Sequence, residues 1–258
     1  MKNVLAVAAH PDDIEILMAG TLMRLAAAGY QIHYWNLANG CCGSDTMDRA
    51  ETARVRRKES IASCEKLGAV FHEPICDDLS IFYDQTTLAK VTSEIRSIEP
   101  KIILTHALSD YMEDHMNACR LAVTAAFSRG MPNFPVVPPR SVTDQDVVIY
   151  HAQPHGNCDG LRNPVLPDLF VDIGTKIDEK ASMLACHESQ RVWLDQSQGM
   201  GSYLETMKEL CRSVGNLSGC CQYAEGWRKH SHLGFCNEAA DPLSDKLKEF
   251  IHRRDSSE

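Results

Sequence analysis

The sequence predicts an α/β fold built on a doubly wound, mostly parallel sheet, and three observations lead there. Short apolar runs alternate with longer stretches of helical period along most of the chain. The first run, Asn3 to Ala9, is apolar from Val4 onward and reads as a strand buried on both faces, the signature of a parallel sheet. Polar clusters follow the ends of such runs, and open α/β sheets place their ligands at the carboxyl ends of strands.

The first strand stops at His10-Pro11-Asp12-Asp13, because proline has no N–H to donate to a ladder. A helical stretch follows from about Ile16 to Ala28. His10 and Asp13 stand three apart across this turn, so an imidazole nitrogen and a carboxylate can converge on one point. Such a pair supplies two of the three protein ligands a catalytic zinc takes. Asp12, between them, points elsewhere and is free to hydrogen-bond a water. Acids here also suit the start of the next helix. The His at the end of a buried strand favours the metal site over simple capping.

Gln31 to Leu37 alternates and is rich in aromatics, which predicts the second strand. The loop Asn39 to Asp45 follows at its carboxyl end, and its glycines either let backbone approach a ligand or only shape a turn. A charged helix from about Met47 to Leu67 ends at Gly68. Ala69 to Ile75 is the third strand, Thr87 to Ile98 a helix, and Lys101 to Thr105 the fourth strand. The second polar cluster comes next: His106, Asp110, Tyr111, Asp114 and His115, leading into a helix. His115 is the candidate third ligand, and Asp114 is placed to orient a ring or a water. Met131 to Arg140 holds four prolines and reads as an irregular surface crossing. Asp146 to His151 and Leu169 to Ile173 are strands, with a helix over Lys176 to Glu188 between the last strand and a remainder expected to be mostly helical. The charged tail from Lys246 is expected to fray. One unit over residues 1–258 is expected, with a core to about residue 190 and a mainly helical part beyond.

Composition narrows the function classes. A hydrophobic content of 44% with 24% charged residues is ordinary for a globular protein in water. The net charge of −9 argues against a nucleic-acid surface. No apolar run approaches a membrane span, and Met1-Lys2-Asn3 leads straight into a core strand, so neither a membrane nor a secretory signal is expected. The eleven cysteines include no Cys-x-x-Cys. Two adjacent pairs, Cys41-Cys42 and Cys220-Cys221, have a spacing that rarely ligates one zinc or forms a bridge. Free thiols and a cytoplasmic setting follow. Gly199-Met200-Gly201 lacks the dinucleotide spacing, and there is no Walker-type or Gly-x-Ser-x-Gly motif.

The stretch Ala9-His10-Pro11-Asp12-Asp13-Ile14-Glu15-Ile16, followed by Met18-Ala19-Gly20-Thr21, resembles the opening of the PIG-L/LmbE-like metal-dependent N-acetylglucosaminyl deacetylases. Three later segments are similar in order: Arg56 and Glu59 before Leu67-Gly68, Asp110-Tyr111 with Asp114-His115, and His187-Glu188-Ser189-Gln190. The resemblance spans roughly residues 1 to 230. It implies a Rossmann-like three-layer α/β/α fold and a hydrolase that removes the acetyl group from an N-acetylglucosamine-type sugar. The metal would be zinc, with iron(II) the alternative, on His10, Asp13 and His115. The general base falls on Asp12, with Asp114 beside it in the catalytic group, and Arg56 falls near the substrate. A homo-oligomer, trimer or hexamer, is implied as well. The family's second-motif histidine, three residues before the ligand His, is Met112 here. His106, His151, His155 or Tyr111 could take its role, or Asp12 could handle the proton in both directions. Two further readings keep the metal: an amidase on a thiol-sugar conjugate, and a sugar-binding protein without turnover.

Overall fold

The computed structural model describes residues 2–197 and 203–254. The Gly199-Met200-Gly201 segment lies outside the described residues. Eight strands form one sheet in the order β3-β2-β1-β4-β5-β7-β6-β8. They are β1 (Lys2–Ala8), β2 (Tyr30–Asn36), β3 (Val70–His72), β4 (Pro100–Thr105), β5 (Val148–Ala152), β6 (Leu169–Asp172), β7 (Ala224–Lys229) and β8 (Ile251–Arg253). The five from β3 to β5 run parallel, and β7, β6 and β8 continue the sheet antiparallel.

The alternation along β1 builds the three layers. Val4, Ala6 and Ala8 face one side and pack with Ile14, Met18 and Leu22, whereas Leu5, Val7 and Ala9 face the other with Val91, Ile95 and Leu121. All are fully buried, as a central strand covered on both faces requires. Helices α1 (Asp13–Leu17) and α2 (Ala19–Ala27) belong to the first layer, and α4 (Gln85–Ile98) and α5 (Glu113–Ser128) to the second. The long α3 (Arg49–Leu67) starts on an Asp48 side chain that accepts from Glu51 N, and it stops at Gly68 with φ +64°.

The sequence reading needs correction in four places. The helix expected from Ile16 to Ala28 is two helices, because Met18 sits at φ −134° between them. The new N-terminus is capped from far away: Glu225 on β7 accepts from Gly20 N at 2.8 Å and Thr21 N at 2.7 Å. Beyond residue 190 the described residues are mostly helical, as expected, but they also add two strands that the sequence reading lacks. They supply α7 (Glu188–Ser197) and α8 (Tyr203–Ser218), then β7 and β8. The tail expected to fray pairs as β8 with β6 as far as Arg253. Likewise Lys176 to Glu188 divides into α6 (Ile177–Leu184) and the start of α7.

The strand order reverses at β1 and β4: the chain steps outward from β1 to β2 and β3, then returns to β4 on the other side. That reversal opens a crevice at the carboxyl ends of these two strands. Both polar clusters follow those ends.

Candidate metal centre and active site

The turn after β1 is held by its own side chains. His10 N donates to Asp13 Oδ2 at 2.7 Å, and Asp13 N donates to His10 O at 3.2 Å. Asp12 takes a left-handed conformation, φ 103°, which few non-glycine residues adopt. The two neighbouring carboxylates therefore diverge. Asp13 faces His10 and His115, with His115 Nε2 at 3.5 Å and His10 Nδ1 at 3.6 Å. Asp12 faces the cavity wall: its Oδ2 accepts from Tyr203 Oη and lies 3.7 Å from Arg56 Nη2.

His10, Asp13 and His115, all buried, present ligand atoms within 4.8 Å of one another. Two imidazoles and a carboxylate fit a catalytic zinc or iron(II), which takes three protein ligands and leaves a position open. Each ring is fixed by a carboxylate on its far nitrogen. Asp114 Oδ2 lies 2.9 Å from His10 Nε2, and Asp110 Oδ1 lies 3.0 Å from His115 Nδ1. This leaves His10 Nδ1 and His115 Nε2 turned toward Asp13, an arrangement common around ligating histidines.

Electrostatics separates the two aspartates. Burial pulls the His10 imidazole down, but the Asp114 and Asp13 carboxylates overcome it and raise it to about 10. The centre is thus built to hold positive charge. Burial pushes Asp13 up, yet His115 and His10 hold it well below the usual carboxylate range. Asp12 goes the other way: burial raises it, against the pull of Arg56. One carboxylate stays ionised as a ligand would, and its neighbour takes up a proton more readily.

A cavity of about 460 Å³ opens onto this centre. His10, Asp12, Asp13, His115 and Arg56 line its polar end, and Ile16, Trp193, Leu194, Met207 and Leu210 give it an apolar wall. Arg56 is 3% exposed and donates to Pro11 O and to Gly40 O. The two loop glycines turn out to make room for this side chain. A Cβ on Gly40 would stand 2.6 Å from Arg56 Cδ, and one on Gly43 2.6 Å from Arg56 Nη1.

Five of the six residues singled out from the sequence thus line one cavity, and Asp114 stands behind His10. Of the groups that could replace the second-motif histidine, Tyr111 and His155 line the cavity beside Met112. His106 does not: its Nε2 accepts from Ala9 N at 2.9 Å, so its proton sits on Nδ1. It stacks on His115 with centroids 4.3 Å apart, and its 3.4 Å approach to Asp13 is no ion pair. His151 is turned to the His106 carbonyl and to His230. Two participants were not singled out. Asp110 was noted only as part of its cluster, though its five-residue spacing to His115 was readable. Tyr203 lies far along the chain and gave no signal.

Comparison with known proteins follows the same geometry. The PIG-L family profile, described as GlcNAc-PI de-N-acetylase, matches residues 5–127, the span that carries both polar clusters. A diacetylchitobiose deacetylase of Thermococcus kodakarensis is 29% identical over 238 residues, covering 88% of this chain and 83% of its own. Over residues 5–127 the chain is thus similar to the PIG-L/LmbE-like family. The proteins it resembles differ in chemistry. A 4-oxalmesaconate hydratase of Pseudomonas putida is 28% identical over 73% of this chain and 74% of its own. The crystal structure of the 4-carboxy-2-hydroxymuconate hydratase from Pseudomonas putida superposes with a TM-score of 0.70 at 26% identity, over 90% of this chain and 97% of that one. The N,N′-diacetylchitobiose deacetylase of Pyrococcus horikoshii shares the fold, with a TM-score of 0.74 at 22% identity over 94% and 88% of the two chains.

Proposed function

We propose that this protein is a metal-dependent hydrolase that removes the acetyl group from an N-acetylglucosamine-type sugar or conjugate. His10, Asp13 and His115 would hold zinc or iron(II). When bound, such an ion polarises an amide carbonyl and makes water a stronger nucleophile at neutral pH. Asp12 takes the proton of the attacking water and returns it to the departing amine as the C–N bond breaks, giving acetate and a free amino sugar. Tyr203 and Arg56 hold that carboxylate at the cavity. Asp114 and Asp110 hold the two rings. The observation that carries this reading is the divergence of Asp12 from Asp13, which sets an uncoordinated carboxylate beside a set of three ligands. A purely structural metal site has no use for it.

The hydratase relatives offer a second chemistry, but the cavity speaks against their kind of substrate. Among the described residues lining it, Arg56 is the one permanent cation, beside Asp12, Asp13 and Asp78. That leaves a polycarboxylate one guanidinium to pair with beyond the metal centre. The apolar wall formed by Trp193, Leu194, Met207 and Leu210 favours a substrate with hydrocarbon beyond the acetyl group, which keeps a bulkier conjugate in view. A reducing, cytoplasmic setting goes with this reading, on the odd number of cysteines and the lack of a Cys-x-x-Cys motif.

Acetate release is the test, with and without metal, across N-acetylglucosamine, N-acetylgalactosamine, diacetylchitobiose and a glucosaminyl thiol precursor. Metal-dependent acetate from any one of them is expected. Silence across the panel from metal-replete protein, with water added to an unsaturated polycarboxylate instead, would overturn the reading.

A further inference from the structure

A second set of donor atoms stands at the rim of the cavity. The loop after β2 brings Cys41 and Cys42 against Asp78 on the segment after β3, with their ligand atoms within 4.8 Å of one another. The backbone around them is fixed from several sides. Asp78 Oδ1 accepts from Gly40 N at 2.7 Å and Oδ2 from Cys42 N at 2.8 Å, while Cys41 N donates to Asn39 Oδ1 at 3.1 Å. Each carboxylate oxygen thereby keeps a lone pair to offer. The two sulfurs are 3.9 Å apart. Two thiolates at about 2.3 Å from a tetrahedral zinc stand about 3.8 Å from each other, so the pair already has the span of one tetrahedral edge. A bridging disulfide would need the same sulfurs at about 2.05 Å. The spacing in sequence argued against a shared ion; the separation in space argues for one.

We propose that Cys41, Cys42 and Asp78 form a second site for a thiophilic divalent cation such as zinc, and that its occupation inhibits the enzyme. The inhibitory half follows from position and rests on the cavity being catalytic. Cys42 and Asp78 line the same cavity as His10 and Asp12, and Asp78 is close enough for its charge to act on the His10 ring. An ion held there narrows the entrance and redirects the charge of Asp78. Binding releases a proton from each thiol, so the site fills more readily as pH rises. Burial raises the Cys41 thiol to about 11, so its ionisation has to be driven by the ion. Arg49 Nη1, 3.6 Å from Cys42 Sγ, is placed to steady a thiolate there.

Cadmium titration of the reduced protein, followed by thiolate-to-cadmium charge-transfer absorbance, tests the site apart from any activity. Cys220→Ser/Cys221→Ser serves as the background, because that remote pair also lies near His252. In this background, with one equivalent of zinc already bound, a further equivalent of cadmium is expected to give a two-thiolate signal, which adding Cys41→Ser/Cys42→Ser abolishes. An unchanged signal in the quadruple variant would overturn the site. For the inhibitory half, the ratio of acetate release with excess zinc to that with one equivalent is compared between the wild type and Cys41→Ser. A tenfold or greater fall is expected in the wild type and less than twofold in the variant. Equal falls would overturn inhibition through this site. Absence of acetate at every zinc level would instead strike the deacetylase reading and leave the absorbance result to judge the site.

Discussion

Asp12 carries the sharpest residue-scale expectation, because its side chain is buried, uncoordinated and tied to Tyr203 and Arg56. Asp12→Asn keeps the shape and the Tyr203 contact but cannot accept the water's proton. Activity should fall by roughly 10²–10⁴-fold, the usual contribution of general-base catalysis. Metal content should stay at the wild-type level, whereas His10→Ala and His115→Ala should lose metal and activity together. Metal analysis beside acetate release separates these outcomes, and a fully active, metal-replete Asp12→Asn protein would end the assignment. Arg56 gives a second expectation through the glycines that accommodate it. Gly40 lies at φ +78°, and an added Cβ would also meet the guanidinium stem. Gly40→Ala therefore strains the backbone and pushes Arg56 off Pro11 and Asp12, and a destabilisation of about 1–3 kcal/mol is expected from such overpacking. A urea midpoint unchanged from wild type would show that Arg56 can move aside freely. His10-Pro11-Asp12-Asp13 announced this centre in the sequence because consecutive residues in one turn make its geometry. Tyr203 was silent because its partner is 191 positions away.

At the scale of elements, the strands readable in advance were those whose residues are uniformly apolar or cleanly alternating. The strand Ala224–Lys229 escaped because Glu225, Gly226, Arg228 and Lys229 give it no such pattern. Its polar character has a tertiary cause. Glu225 is 3% exposed and spends its carboxylate on the start of α2 and on Lys180, whose Nζ lies 2.5 Å away and which is fully buried. Gly226 lies where a Cβ would stand 2.9 Å from Gln153 and Pro167. The broken helix at Met18 and the missed strand are thus two ends of one interaction, invisible to any local window. Removing the charge tests it. Glu225→Gln leaves Lys180 buried opposite a neutral amide and weakens the cap, so about 3–5 kcal/mol of stability should be lost. Urea unfolding monitored by the three tryptophans reads the loss. A change below about 1 kcal/mol would mean that the pair is relieved by local rearrangement.

Over the whole molecule, histidines buried without a compensating acid set how stability depends on pH near neutrality. His151 is the clearest, since it sits away from the cavity, 2% exposed, between the His106 carbonyl oxygen at 3.0 Å and His230 at 2.9 Å. Burial pushes its imidazole down to about 4, and the nearby His230 adds to the effect. Half-buried His33, against His72 at the edge of the sheet, is also pushed down to about 4, by burial and His72 and against the pull of Glu94. The folded value lies below the ordinary 6.5, so the unfolded chain binds more protons between pH 6.5 and about 4. Stability from these groups is present above pH 6.5 and is lost as the pH falls through that window. For a group shifted this far, the loss between pH 7 and pH 5 is about 2 kcal/mol. His151→Gln has no proton to take up, so its urea midpoint should be lower at pH 7 yet fall less steeply toward pH 5 than that of the wild type. The difference in slope isolates His151 even though the catalytic centre titrates in both proteins, because that contribution cancels between them. Parallel midpoint curves for the two proteins would show that His151 is protonated in the fold, and that the packing around β5 tolerates its charge.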